Sequence, residues 1–270
     1  MKTEIITSAQ NPKIKTLLEL QEKSKARRRE GLFVVEGVRE LLHCIEADYE
    51  VHAIFVCTDI LTRESYEEVM KAAEASSPRC VCYSISKALY EKTAYRSGTE
   101  GVVAELRCKS HRLEDLAVKE NPVVVVLESV EKPGNLGAVL RSADAAGVDA
   151  VIICDPLTDM YNPNLIRSSI GGIFTVQIAA TSSEEAIRWL KDRGIKIYTA
   201  QLQDSEWYYD IDMKGGTAIV MGTEATGLTD IWRKAADAHI KIPMLGRLDS
   251  LNVSVSAAIL MYEAVRQRNS

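Results

Sequence analysis

The stretch Asn121-Pro122-Val123-Val124-Val125-Val126-Leu127, followed shortly by Lys132-Pro133-Gly134-Asn135-Leu136-Gly137-Ala138-Val139-Leu140-Arg141, decides the fold. An unbroken apolar run bounded by turn residues is the pattern of a strand covered on both faces, as in a parallel sheet. Gly134 and Gly137 then permit tight turns and close backbone approach. A helix is expected to start close to Gly137, with Leu136, Leu140 and Ala143 as its core-facing stripe. Residues 148–153, 195–199 and 218–221 repeat the strand pattern, with helical segments such as 182–193 between them and a last helix from about 252 to 268. Strands alternating with helices in this way specify a doubly wound α/β domain.

Two further segments end predicted strands in the same manner. They are Gly222-Thr223-Glu224-Ala225-Thr226-Gly227-Leu228, and Ile242-Pro243-Met244 running into Ser250-Leu251-Asn252-Val253-Ser254. Ligands of open α/β sheets bind outside the carboxyl ends of the strands, so three such turns are expected to converge on one crevice. Arg141 lies off the apolar stripe and leans back toward Asn135 if the helix forms; its alternative is a surface ion pair. Glu224 has a helix cap as its alternative. Ser250, Asn252, Ser254 and Ser256 crowd one helix start, more polar side chains than capping alone requires, and Ala257 and Ala258 keep that helix thin. Gly134 and Gly137 leave the dinucleotide-binding glycine pattern incomplete, which disfavours a nicotinamide enzyme.

At 270 residues with a net charge of −5, the chain accommodates two domains and has no overall attraction to nucleic acid. A local basic run, Lys23 to Arg29, has two readings: a solvated helix end, or phosphate contacts by Lys25, Arg27, Arg28 and Arg29. It sits in a helix expected from about Pro12 through the run. Strands at 32–35, 51–56, 80–84 and 101–106, with helices between, make a compact α/β/α unit. The six cysteines lack metal-ligand spacing and read as small buried hydrophobes, and the four histidines are scattered, so no metal is expected. With no apolar signal segment and no membrane-length apolar run, the expectation is a reduced, cytoplasmic protein without membrane contact.

In order and spacing, the three segments closely resemble the three motifs of the SpoU/TrmH-type RNA 2′-O-methyltransferases of the SPOUT class. The N-terminal part, with Ser8-Ala9-Gln10-Asn11-Pro12 and Phe33-Val34-Val35-Glu36-Gly37, resembles the ribosomal-protein-like substrate-binding domain often fused to them. The resemblance implies an α/β chain with an RNA-binding domain over 1–107 and, over 116–270, an S-adenosylmethionine-dependent domain whose parallel sheet carries a trefoil knot. It implies Asn135, Arg141, Glu224, Ser250 and Asn252 as the catalytic constellation, and Leu202, Gly222, Ile242, Met244 and Leu251 as cofactor contacts. It also implies a homodimer and an RNA substrate, ribosomal RNA in preference to transfer RNA. A non-catalytic RNA-binding assembly protein on the same fold is the rival reading, opposed by the intact Arg141, Glu224 and Asn252. Glu131-Lys132 departs from the family's more usual amide and acidic residue.

Overall fold

The computed structural model describes residues 3–94, 100–223 and 226–270. These form two compact units, one of Met1–Ser110 with Met160–Ile166, the other of His111–Asp159 with Arg167–Ser270.

The first unit runs β1 (Thr3–Ile6), α1 (Pro12–Glu22), α2 (Ser24–Glu30), β2 (Leu32–Glu36), α3 (Val38–Glu46), β3 (Val51–Val56), α4 (Arg63–Ser76), β4 (Val81–Ile85), α5 (Lys87–Thr93) and β5 (Val102–Arg107). Its sheet has the order β1-β4-β3-β5-β2, parallel from β1 to β3 and antiparallel at β3-β5 and β5-β2. Ile14, Leu17 and Leu20 of α1 and Leu89 and Tyr90 of α5 share a core with Val34, Phe55, Tyr83 and Ile85 on one sheet face. Phe33, Ile54 and Cys82, their alternating neighbours, are buried too, and α3 packs on α4 and β2, so helices cover both faces as expected.

The expected single helix through the basic run is in fact two. Asn11 caps α1, accepting from Lys13 N at 2.9 Å, and the helix ends at Lys23, which is extended (φ −116°, ψ 116°). Arg27 explains the break. Its guanidinium is buried and donates to the carbonyls of Leu20 at 2.5 Å and Gln21 at 3.1 Å, satisfying the end of α1 from within α2.

The second unit contains β6 (Val123–Glu128), α6 (Pro133–Ala146), β7 (Ala150–Cys154), α7 (Pro163–Ser169, which straddles the division), α8 (Gly172–Thr175), β8 (Ile178–Thr181), α9 (Ser183–Asp192), β9 (Lys196–Ala200), β10 (Glu206–Trp207), β11 (Thr217–Met221), α10 (Asp230–Ala235), β12 (Ala238–Lys241) and α11 (Val253–Arg268). Its strands lie in the order β10-β12-β9-β11-β6-β7-β8, every pairing parallel. The apolar run predicted to be covered on both faces is β6, and every residue of it is buried. Val124, Val126, Ala218 and Val220 face α9 and α10, where Trp189, Leu190 and Trp232 complete one core. On the other side α11 packs against α6, β6 and β11.

The C-terminal end of α11 is fastened by main-chain carbonyls. Arg268 donates to Asn121 O at 2.6 Å, Pro122 O at 3.2 Å and Met213 O at 2.9 Å, and Gln267 accepts from Met213 N at 2.8 Å. Main-chain oxygens before β6 and β11 thereby gain partners from the last helix. Among the described residues no helix is long and apolar enough to cross a membrane.

Candidate active site

β6 ends at Glu128, and the chain turns at Ser129, whose φ is +52°. The helix then begins earlier than the glycines suggest, at Pro133, whose fixed φ suits the first helical position. Gly134 and Gly137 are therefore helical, and the turn itself falls on Ser129. Leu136, Leu140 and Ala143 are fully buried, as expected. Asn135 sits in the first turn of this helix and accepts a hydrogen bond from Asn252 Nδ2 at 3.1 Å. Asn252 is the N-cap of α11, its Oδ1 accepting from Ser254 N at 3.0 Å and Ser254 Oγ at 2.6 Å. One amide thus starts α11 with its oxygen and holds the start of α6 with its nitrogen.

Arg141 is exposed and makes no hydrogen bond or ion pair with a described residue, so the expected reach to Asn135 is not a contact here. Ser250 is also exposed, its hydroxyl 3.1 Å from Asp249 Oδ1. Glu224 lies outside the described residues. Its flanks are tightly built: a Cβ on Gly222 would lie 2.3 Å from the carbonyl carbon and oxygen of Gly227, so only glycine fits there. Gly227, at φ +68°, donates its N–H to Thr223 O at 3.0 Å.

Beside these turns, at the carboxyl ends of β9, β11 and β12, is a cavity of about 410 Å³. Leu202, Gly222, Ile242, Met244 and Leu251 all line it, together with Ser250. Two wall residues escaped the sequence reading. Gln201 and Arg233 border the cavity, and Gln201 Oε1 and Arg233 Nε are buried without a hydrogen-bond partner. Gln201 directly follows β9, so the strand-end rule itself pointed to it; Arg233 in α10 reads in sequence as one more solvated cation.

In the first unit the basic run divides. Lys25 and Arg28 are exposed and pair with no described residue, and Arg29 pairs with Glu19 at 3.2 Å and Glu30 at 2.7 Å. Arg27 is corrected: a buried guanidinium committed to helix-end carbonyls is not on the surface that phosphate would reach. All the cysteines except Cys108 are buried, and burial pushes the thiols of Cys44, Cys80, Cys82 and Cys154 up, away from nucleophilic thiolate. No group of three or more His, Cys, Asp or Glu placed to hold a metal occurs among the described residues.

The model of the SpoU rRNA Methylase family matches residues 122–262, more than half of the chain. The chain belongs to that family. Residues 11–104 match the MRM3-like substrate binding domain. The 23S rRNA (guanosine(2553)-2′-O)-methyltransferase RlmP of Bacillus subtilis is 28% identical over 95% of this chain and 97% of its own length. A solved RNA 2′-O ribose methyltransferase superposes with a TM-score of 0.84 at 36% identity, over 99% of this chain and 100% of that one. An AdoMet-bound rRNA methyltransferase from Sinorhizobium meliloti gives 0.89 at 27% identity, covering 98% of both chains. As a SpoU methylase the chain has the SPOUT fold, with its parallel sheet, and that fold implies the trefoil knot.

Proposed function

We propose that this SpoU methylase transfers the methyl group of S-adenosylmethionine to a ribose 2′-hydroxyl of large-subunit ribosomal RNA. The observation that carries the reading is the Asn252–Asn135 hydrogen bond, which joins the first and third motifs beside a cavity bordered by the second. The relatives' names, 23S rRNA 2′-O-methyltransferases from Bacillus subtilis and Streptomyces viridochromogenes, support the substrate class.

The cavity suits the cofactor. Its volume lies in the range of small-molecule sites, its walls mix apolar and polar side chains, and two buried unpartnered polar atoms on it, an acceptor on Gln201 and a donor on Arg233, match a ligand carrying both ammonium and carboxylate groups. Leu202, Ile242, Met244 and Leu251 would enclose it, and Gly222 borders it where any Cβ would collide with Gly227. When bound, the cofactor supplies an electrophilic methyl carbon on a sulfonium.

The remaining work falls to the chain's own side chains. A guanidinium stays protonated in proteins, so Arg141 is assigned to a phosphate beside the target ribose and to the charge growing on its 2′-oxygen, not to proton removal. Asn135 and Asn252 hold the ribose edge, and Glu224 and Ser250 complete the set that receives the hydroxyl. Exposed Lys25, Arg28 and Arg29 are assigned to RNA phosphates. Val255, Ile259 and Tyr262 make an apolar stripe on α11, with Val255 47% and Tyr262 49% exposed, which a second copy of the chain would cover in a cytoplasmic homodimer.

Incubation with ribosomal RNA and methyl-labelled cofactor, followed by nucleoside mass spectrometry, tests the reaction. Label on the ribose fragment is expected; label on the base would refute the assignment.

A further inference from the structure

We propose that Glu128, which lines no part of the cavity, is the positioning residue that keeps the cavity wall formed by Gly222, Thr223, Gly227 and Leu228 in cofactor-binding shape. The inference rests on the cavity being the cofactor site. Glu128 closes β6 and is only 3% exposed. A carboxylate so buried is tolerated only when donors surround it. One oxygen accepts from Thr229 N at 2.8 Å; the other accepts from Thr229 Oγ1 at 2.5 Å and lies 3.3 Å from Ser183 Oγ. The hydroxyl hydrogen of Ser183 is better placed for Asp155 Oδ2 at 2.6 Å, and Ser183 Oγ accepts from Trp232 Nε1 at 3.0 Å. Thr229 is therefore the main partner of Glu128.

What this does follows from strand register. Met221, the last residue of β11, pairs with Leu127, and the chain comes back at Thr229 onto Glu128, the next residue of β6. Both ends of the turn are thus pinned to consecutive residues of one buried strand. The described members of the turn, Gly222, Thr223, Thr226, Gly227 and Leu228, all face the cavity. Thr229 is also the N-cap of α10 but makes no side-chain cap of its own, because its hydroxyl is turned to Glu128. Nothing else among the described hydrogen bonds ties Thr229 to β6. Freeing Glu128 would therefore remove the hydrogen-bonded tie at one end of the cavity wall, leaving Leu228 to core packing alone and β11 paired.

The test is cofactor affinity by calorimetry, with KM for cofactor and for RNA, on the full chain and four variants. Glu128→Ala is expected to weaken S-adenosylmethionine binding about tenfold, the loss of hydrogen bonds to a charged group, and to leave KM for RNA within about twofold. Glu128→Gln is expected to restore binding to within about threefold, since its amide oxygen can accept from Thr229 N while its NH2 donates to Thr229 Oγ1. Thr229→Val removes one of the bonds and is expected to weaken binding about threefold; it carries the test if Glu128→Ala does not fold. A purely structural role would lower the melting temperature and the active fraction with cofactor affinity unchanged. That result, or a Gln variant as weak as Ala, overturns the proposal. Leu202→Glu separates the two readings: if it leaves affinity intact, the cavity assignment fails, whereas if it abolishes binding and the Glu128 and Thr229 variants bind normally, only the positioning role fails.

Discussion

Asn252 serves two helices with one amide, which makes its substitution informative in two ways. Asn252→Ala removes an N-cap, costing about 1 kcal/mol of stability, and also removes the hydrogen bond to Asn135. Asn252→Asp keeps the cap but loses the donor to Asn135, so it is expected to retain the melting temperature and still lose turnover. Arg141→Ala should lower kcat by about 100-fold or more while cofactor affinity by calorimetry stays unchanged, because Arg141 is assigned to RNA and the forming alkoxide. Lost cofactor binding in a folded Arg141→Ala protein would contradict that role. Glu105 supplies a pH prediction in the first unit. Burial pushes its carboxyl up to about 7 from a usual value of 4.5, and its Oε1 has no hydrogen-bond partner. The folded state then holds the proton more tightly than the unfolded chain, so the stability this group contributes is complete below pH 4.5 and is lost as pH rises through about 7. Wild type is expected to melt lower at pH 8 than at pH 5, by the equivalent of about 3 kcal/mol at most, and Glu105→Gln to flatten that difference. An equal pH dependence in both proteins would show that Glu105 is not its source.

Among the elements, those written by long periodic or apolar runs were readable before any coordinates. β6 opens with four valines and a leucine, and α6 follows from the spacing of Leu136, Leu140 and Ala143. β8 and β10 were not read, because four residues ending in Thr181 and a pair at Glu206–Trp207 carry too little alternation to separate from loop. The break between α1 and α2 was equally hidden: a run of arginines does not say which one turns inward. That distinction now separates two outcomes. Arg27→Ala should destabilise the first unit by about 2 kcal/mol or more through its orphaned carbonyls, with little effect on the salt dependence of RNA binding. Replacing Lys25 and Arg28 together by alanine should leave the melting temperature alone and reduce the slope of log affinity against log salt by about 2. An unchanged slope in the double variant would make the basic run a solvated helix end.

For the whole molecule, the three motifs and their convergence on one crevice were legible, but the contact that joins them was not. Nothing in the spacing of Asn135 and Asn252 states that their amides touch, since the contact is made by the sheet order that lays β6 beside β11 and brings α11 against α6. The same holds for Arg233, which is ordinary in sequence and becomes a cavity wall only in the folded unit, whereas Gln201 follows β9 where the strand-end rule points. Assembly is checked by light scattering at micromolar concentration: a dimer is expected for the wild type and a shift toward monomer for a Tyr262→Glu variant. A fully active wild-type monomer would rule the dimer out. The most direct measurement is a map of 2′-O-methylated riboses across ribosomal RNA from cells with the gene, without it, and complemented by wild type or Arg141→Ala. One ribose methylation in large-subunit RNA should vanish on deletion and return with wild type but not with Arg141→Ala; an unchanged ribose map, or loss of a base methylation instead, would contradict the assignment.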